Sequence, residues 1–294
     1  IMTDYNPKEV LAYLHSLGHL QVGGCTEIRI LPEEVRLRIK NKLEYVGKVV
    51  SGYYTNYEKA VQDIADYDGK ASVYTTLNPC DSKLVRRAEN KLVPQAKQTT
   101  SDDEIIRISW LPLDFDPERP SGTSSSEEEL QAAISKREEV IEEVFSSLKA
   151  EVIRGMSGNG AHGLIRLPDY DNTLEIKGSV ERVIKYLAET YSDDQVKVDG
   201  TVFNPSRIWK LYGLKSTKGD PEATGAPQRR AEIDLPPEII PFDVIAHLNQ
   251  IIPEINQSGH QENVSTSSQY DLDIEAYLSA NGVEFRPSKE TTVK

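Results

Sequence analysis

The run from Ile105 to Leu113 is largely apolar and stops on Asp114-Phe-Asp116, just before Pro117. An apolar run of this length reads as a buried strand. Side chains two apart on a strand share a face, so Asp114 and Asp116 come together while Phe115 enters the opposite layer. Carboxylates that close repel one another, and a divalent metal is the usual remedy. A chain holding this segment has to bury a strand along its length and open a polar pocket at its end.

The segments after it fall into a regular order. Ser126-Glu-Glu-Glu129 is a capping box that opens a long helix, with Leu130, Ile134, Ile141, Val144 and Leu148 at helical spacing. The acidic run Glu138-Glu139 and Glu142-Glu143 reads as its solvated face. Glu151 to Arg154 and Ala161 to Leu167 read as short strands joined by Met156-Ser-Gly-Asn-Gly160, whose glycines supply the positive φ of a tight turn. A helix capped by Ser179 turns Val183, Ile184, Leu187 and Tyr191 inward, and Gln195 to Asp199 reads as a closing strand. The order strand, helix, strand, strand, helix, strand predicts an α+β fold with an RRM-like antiparallel sheet, a βαββαβ palm whose helices cover one face.

Upstream, Pro7 to Leu17 reads as a helix, Cys25 to Leu31 and Ala71 to Leu77 as strands, and Thr55-Asn-Tyr-Glu58 as a capping box opening a helix through Ala65. Downstream, Phe242 to Ile251 reads as an amphipathic helix, Ser258 to Gln269 as a Ser/Gln/Asn-rich linker, and Asp273 to Asn281 as a helix. The expected organisation is a catalytic domain over 1–234, made of an N-terminal α/β subdomain (1–103) and the RRM-like core (104–234). A small helical extension (235–257) follows, and 258–294 holds the linker and the start of a truncated downstream domain.

Four signals are expected on the open face of the predicted sheet. Asp114 and Asp116 end its first strand, His162 follows the hairpin turn, and Asp199 ends its last strand. Taken singly, each has a structural explanation as a turn former or a satisfied core histidine. Taken together at strand ends of one sheet, they predict a site. Carboxylates around an oxygen-lined pocket suit Mg²⁺ or Mn²⁺. Two such ions held about 3.5–4 Å apart can activate an attacking hydroxyl and stabilise a leaving pyrophosphate.

The chain carries a formal net charge of -13, whereas a protein that simply coats nucleic acid is normally basic. Its basic groups are concentrated after the last aspartate: Arg207, Lys210, Lys215 and Lys218, then Arg229-Arg230. This is where an anionic triphosphate or template could be held. The two cysteines, Cys25 and Cys80, lack Cys or His neighbours at zinc spacing, which argues against a zinc site in this chain and for a reducing, cytoplasmic setting. No stretch reaches the roughly 18 apolar residues that a membrane span needs.

Asp114-Phe-Asp116, Ser157-Gly-Asn-Gly-Ala-His162, and Asp199 with Val202-Phe203, Arg207 and Lys210-Leu-Tyr-Gly213 resemble the three motifs of archaeo-eukaryotic primases. The likeness is to the prokaryotic primase-polymerase branch, found at the front of plasmid, phage and other mobile-element replication proteins. Val73-Tyr-Thr-Thr-Leu-Asn-Pro79, with Arg87 and Asn90, is similar to that branch as well, so the resemblance spans roughly Tyr53 to Arg230. It implies a template-dependent DNA primase and polymerase in which Asp114, Asp116 and Asp199 hold two catalytic Mg²⁺ or Mn²⁺ ions. His162 is then catalytic and contacts the nucleotide, with Ser157, Asn159, Arg207, Lys210 and Lys218 completing the nucleotide-binding set. The implied partners are a single-stranded or primed DNA template, a dNTP or NTP, and a helicase domain or partner downstream. Gly160 stands where eukaryotic relatives carry serine. Tyr74 and Asn78 are candidates for sugar choice. Two rival readings are a metal-dependent glycosyltransferase using Asp114-x-Asp116 and a non-catalytic RRM-like nucleic-acid-binding module.

Overall fold

The computed structural model describes residues 5–32, 49–219 and 225–252. The expected linker from Ser258, and the helix at Asp273 to Asn281, lie outside the described residues. Helix α1 (Pro7–Ser16) opens with Pro at its first turn, and the Asn6 side chain accepts from the Glu9 amide at 3.3 Å, an arrangement that satisfies a donor left over at a helix start. Strands β1 (Thr26–Pro32), β2 (Val50–Tyr54) and β3 (Ala71–Thr76) follow, with α2 (Tyr57–Ile64) between the last two. The cap of α2 is Asn56, not Thr55. Thr55 and Asn56 instead donate their amides to Asn90 Oδ1, at 3.0 and 2.9 Å.

The second group of elements is β4 (Arg107–Pro117), α3 (Glu127–Val140), β5 (Ile153–Met156), β6 (Ala161–Asp171), α4 (Leu174–Tyr191) and β7 (Val196–Val198). The capping box at Ser126 is present with both of its bonds. Past Val140 the helix widens into a π turn, Ile141–Phe145, that buries Ile141, Val144 and Phe145. Glu139, Glu142 and Glu143 are exposed as expected, whereas Glu138 is partly covered and accepts from both Arg137 and Arg154. Helix α4 starts at Thr173, whose hydroxyl accepts from the Ile176 amide, so Ser179 lies inside the helix and is not its cap.

Two short strands complete the picture: β8 (Ile208–Lys210) and β9 (Glu232–Asp234). The first sheet runs β2-β1-β3-β8 and the second β7-β4-β6-β5-β9, with every pairing antiparallel. Chain order therefore crosses between the sheets three times, first from β3 to β4. After β7 the chain leaves the second sheet, adds β8 to the first beside β3, and returns as β9. Residues 208–210, which the sequence reading grouped with the second segment, thus extend the first sheet. Helix α5 (Val244–Ile251), capped by Asp243, packs on α4 and buries Val244, Ile245 and Leu248 in the same core.

Polar side chains tie the sheets together where the ladders are interrupted. Pairing of β4 with β6 shifts register between Ile108 and Trp110. The Ser109 amide released there donates to Asn78 Oδ1 at 2.8 Å, and Arg166 donates to the Ser109 carbonyl at 3.0 Å. Asn78 Nδ2 reaches Pro205 O at 3.0 Å, and Trp110 Nε1 donates to Leu17 O at 3.1 Å. Cys25 and Cys80, distant in sequence, face each other across an antiparallel bridge as buried free thiols. No helix among the described residues is long and apolar enough to cross a membrane.

His19 is wholly buried in the turn segment between α1 and β1. Its Nε2 lies 3.0 Å from the Leu77 carbonyl, which can only accept, so Nδ1 is the acceptor for Thr26 Oγ1 at 2.7 Å. Burial pushes its pKa down to about 4, with the Leu77 bond opposing and the Arg166 charge assisting. The unfolded chain takes up a proton near pH 6.5 that the folded chain refuses until about pH 4. His19 therefore stabilises the fold fully above pH 6.5, and this contribution falls by about 1.4 kcal/mol per pH unit below it. Urea unfolding between pH 7 and 4.5 is expected to show that slope, and His19→Gln to flatten it. Equal slopes in the two proteins would refute the assignment.

Candidate active site

The site is built on one row across the second sheet. Asp114 on β4 pairs with His162 on β6, and His162 pairs with Gly155 on β5. On the other side, the Asp199 amide donates to the Asp114 carbonyl at 2.8 Å, extending the β4–β7 pairing one step past Phe115 and Val198. Directly opposed residues of antiparallel strands present their side chains on the same face. Asp199, Asp114 and His162 therefore stand side by side, and Asp116 follows two residues along β4. Phe115, between the aspartates, is fully buried in the opposite layer.

This row forms one wall of a cleft of about 240 Å³. The first sheet supplies the facing wall, with Leu31 from β1, Tyr74 from β3, and Ile208 and Lys210 from β8. The segment after β8 adds Ser216 and Lys218. All nine residues expected in the site line this one cleft: Asp114, Asp116, Asp199, His162, Ser157, Asn159, Arg207, Lys210 and Lys218. Several other expectations do not fall there. Asn78 is buried and spends its amide on Ser109 and Pro205, so it braces the fold, whereas Tyr74 does reach the cleft. Arg87 pairs with Glu104, Arg229 bonds Ser125 O and Glu127, and Arg230 pairs with Glu9 and Glu232. Lys215 bridges to Arg230 through its backbone.

Each acidic group already has partners. Burial pushes the Asp114 carboxyl up, but the bond from His162 and the nearby charges of Lys218 and Arg207 outweigh it and hold it below the ordinary carboxylate range. His162 Nε2 lies 3.5 Å from Asp114 Oδ1, at the outer limit of a hydrogen bond. Asp116 Oδ1 accepts from Arg119 at 3.0 Å, and its Oδ2 lies 3.8 Å from Lys218 Nζ. Asp199 Oδ1 accepts from the amide and hydroxyl of Thr201. Turned to these partners, the carboxylates are not gathered on a point. Among the described residues no group of three or more His, Cys, Asp or Glu side chains is placed to hold a metal ion as it stands. As a donor set, three carboxylates lining one cleft still suit a hard divalent cation, and their backbones are fixed next to one another.

The turn between β5 and β6 is locked. Only Gly158 in it takes a positive φ, of 101°. Ser157 Oγ accepts from the Gly160 amide at 3.0 Å, while Asn159 Oδ1 accepts from Ser125 N at 3.0 Å and its Nδ2 donates to Lys218 O at 2.6 Å. Both polar ends of Asn159 thus anchor the loops flanking the cleft. Lys210 sits with its ammonium 5.4 Å from the Tyr74 ring centre. Sequence reasoning missed Arg119, which stands three residues past Asp116 in a polar loop. It gave no role of their own to Trp209, an apolar neighbour of the basic residues, or to Tyr212, which it quoted only within the motif Lys210-Leu-Tyr-Gly213.

No protein-family model matches the chain, and no curated protein matches it. Among solved structures the chain is similar to the AEP domain of the cyanophage S-2L primase-polymerase, at 14% identity over 85% of this chain and 99% of that one, with a TM-score of 0.48. It is also similar to the primase RepB′, at 12% identity over 81% of this chain and 62% of that one, with a TM-score of 0.40. A third likeness is to the polymerase domain of Mycobacterium tuberculosis ligase D in complex with DNA, at 12% identity over 84% and 86% of the two chains, with a TM-score of 0.40.

Gly160, just before β6, lies hard against the backbone of β4. A Cβ there would lie 2.6 Å from the Phe115 carbonyl oxygen and 3.3 Å from Asp116 Oδ1. The first of these is backbone and cannot move without displacing β4. Gly160→Ala is expected to cost about 1–3 kcal/mol, read as a lowered urea midpoint. An unchanged midpoint would show that the strands are further apart.

Proposed function

We propose that this chain is the catalytic domain of a template-dependent DNA primase and polymerase, with the second sheet as an RRM-like palm. The observation that carries the reading is the row Asp199–Asp114–His162, with Asp116 beside it, facing Arg207, Lys210 and Lys218 across one cleft. Three carboxylates and three basic side chains leave the cleft close to neutral. A nucleoside triphosphate is strongly anionic, so such a cleft needs added positive charge to hold one. Asp114, Asp116 and Asp199 would hold Mg²⁺ or Mn²⁺, and a bound pair of such ions supplies activation of a 3′-hydroxyl and stabilisation of the leaving pyrophosphate.

The chain's own residues do the rest by positioning. His162 directs a ring nitrogen into the cleft, beside Asp114, where it can meet a phosphate oxygen. Lys218 is half exposed and only loosely paired with Asp116, so it can swing to a triphosphate. Arg207, whose guanidinium donates to the Thr201 carbonyl, stands at the mouth as a second anion contact. Lys210 is held more rigidly above Tyr74. A single-stranded or primed DNA template and a dNTP or NTP are the partners on this reading, with a helicase domain or partner downstream. A module that merely binds RNA on its sheet would present stacking aromatics there, and the row here presents two carboxylates and a histidine.

Incubation with a primed DNA template, dNTPs and Mg²⁺ or Mn²⁺ is expected to give primer extension. Asp114→Asn or Asp199→Asn should reduce it by about a hundredfold or more with unchanged circular dichroism. Mn²⁺ binding, followed by electron paramagnetic resonance, should weaken in the same variants. No extension by the unaltered protein, or full extension by either variant, would overturn the proposal.

A further inference from the structure

Behind His162 lies a buried polar chain that the reading above does not use. His162 Nδ1 is 2.8 Å from Tyr212 Oη, and Trp209 Nε1 is 2.9 Å from the same oxygen. Trp209, Tyr212 and His162 are all buried, at 3%, 0% and 5% exposure. The Trp209 and His162 rings touch, with centroids 4.4 Å apart. Room for the hydroxyl comes from the strand beyond His162 in the row. A Cβ at Gly155 would lie 2.7 Å from Tyr212 Oη, so only glycine lets the phenol reach under the sheet at this point.

The direction of this chain follows from donor counting. An indole nitrogen donates and cannot accept, so Tyr212 Oη accepts from Trp209. The tyrosine has one proton of its own, and burial, opposed by the Trp209 bond and assisted by the Asp114 charge, raises its pKa so that the proton stays. His162 Nδ1 is the remaining partner of that hydroxyl, so it is the acceptor. A neutral imidazole carries one N–H, and with Nδ1 accepting, that hydrogen is on Nε2. Nε2 is the atom turned to the cleft, 3.5 Å from Asp114.

We infer that Trp209 and Tyr212 are positioning residues that lock His162 in the Nε2–H tautomer, so that a neutral imidazole presents a hydrogen-bond donor to an anionic oxygen in the cleft. Without the lock, the ring could equally carry its hydrogen on Nδ1 and would turn a lone pair toward the phosphate, which repels it. A histidine so fixed loses no binding energy to tautomer selection when the ligand arrives. This inference rests on the cleft being a phosphate-binding site only for its consequence. The tautomer itself is a property of the free protein.

The test uses the full chain labelled with ¹⁵N-histidine, in a long-range ¹H–¹⁵N correlation spectrum, with the His162 signals assigned by their loss in His162→Asn. The expected result for the unaltered protein is an unprotonated Nδ1 and a protonated Nε2. Tyr212→Phe should let protonated Nδ1 appear, and should raise the KM for dNTP in primer extension by about three- to tenfold, the worth of one hydrogen bond, with a smaller change in kcat. Should Tyr212→Phe not fold, Trp209→Phe, which removes the donor that sets the direction, should also produce protonated Nδ1. A protonated Nδ1 in the unaltered protein overturns the inference, as does an unchanged His162 spectrum in the folded variants. If the tautomer is as stated and no extension occurs, the proposed function fails and the lock stands. If extension occurs with Nδ1 protonated, the lock alone fails.

Discussion

Everything in the cleft depends on the register of β4 between its two neighbours. A strand displaced by one residue turns its whole side-chain set to the other face. One step of slip would send Asp114 and Asp116 into the helix-covered layer and bring Phe115 out beside His162. What prevents it is the apolar face: Leu111, Leu113 and Phe115 are all essentially unexposed. Burial of each such side chain contributes about 1.5–3 kcal/mol, whereas two carboxylates in that layer would be desolvated without partners. The acidic row is thus held in place by residues that never touch it.

The second wall exists because the chain does not stay in one sheet. After Asp199 it passes through Thr201 to Arg207, lends three residues to the first sheet as β8, and comes back as β9. That excursion carries Arg207, Lys210 and Lys218 across from the carboxylates and places Trp209 and Tyr212 underneath His162. The two walls are then cross-braced away from the cleft by Asn78 and Trp110, whose side chains satisfy backbone groups of neighbouring segments. A backbone amide freed by the bulge at Ser109 would be costly if left unpaired, so the brace and the bulge depend on each other.

The acidic strand end and the element order after it were legible in the sequence because alternation and helical spacing are local patterns, and the basic cluster and the motif resemblance singled out the other residues expected to line the cleft. The errors occurred where the deciding partner is remote. Thr55 was a plausible cap until Asn90, far along the chain, took its amide. Ser179 was one until the helix proved to begin at Thr173. β8 has three residues and no alternation to read, and its strand character comes from lying beside β3. Cys25 and Cys80 are neighbours only because two segments meet as a bridge. Tyr212 and Trp209 were given no role of their own, because a hydroxyl or an indole nitrogen shows its role only when its partner is known.

The partners of Asp116 differ in a way that bears on how such a cleft can respond to charge. Arg119 is nearly buried and also donates to the carbonyls of Pro117 and Thr123, so its guanidinium is clamped on three sides and leaving would strand two backbone acceptors. Lys218 is half exposed, 3.8 Å away, on a flexible stem with water as an alternative partner. An exposed pair of that kind contributes about 0–1 kcal/mol. Arg119 is therefore a fixed positive charge that orients Asp116, and Lys218 is the movable one. On the proposed reading, a polyanion entering the cleft meets a rigid acidic row and, in Lys218, one basic side chain free to adjust to it.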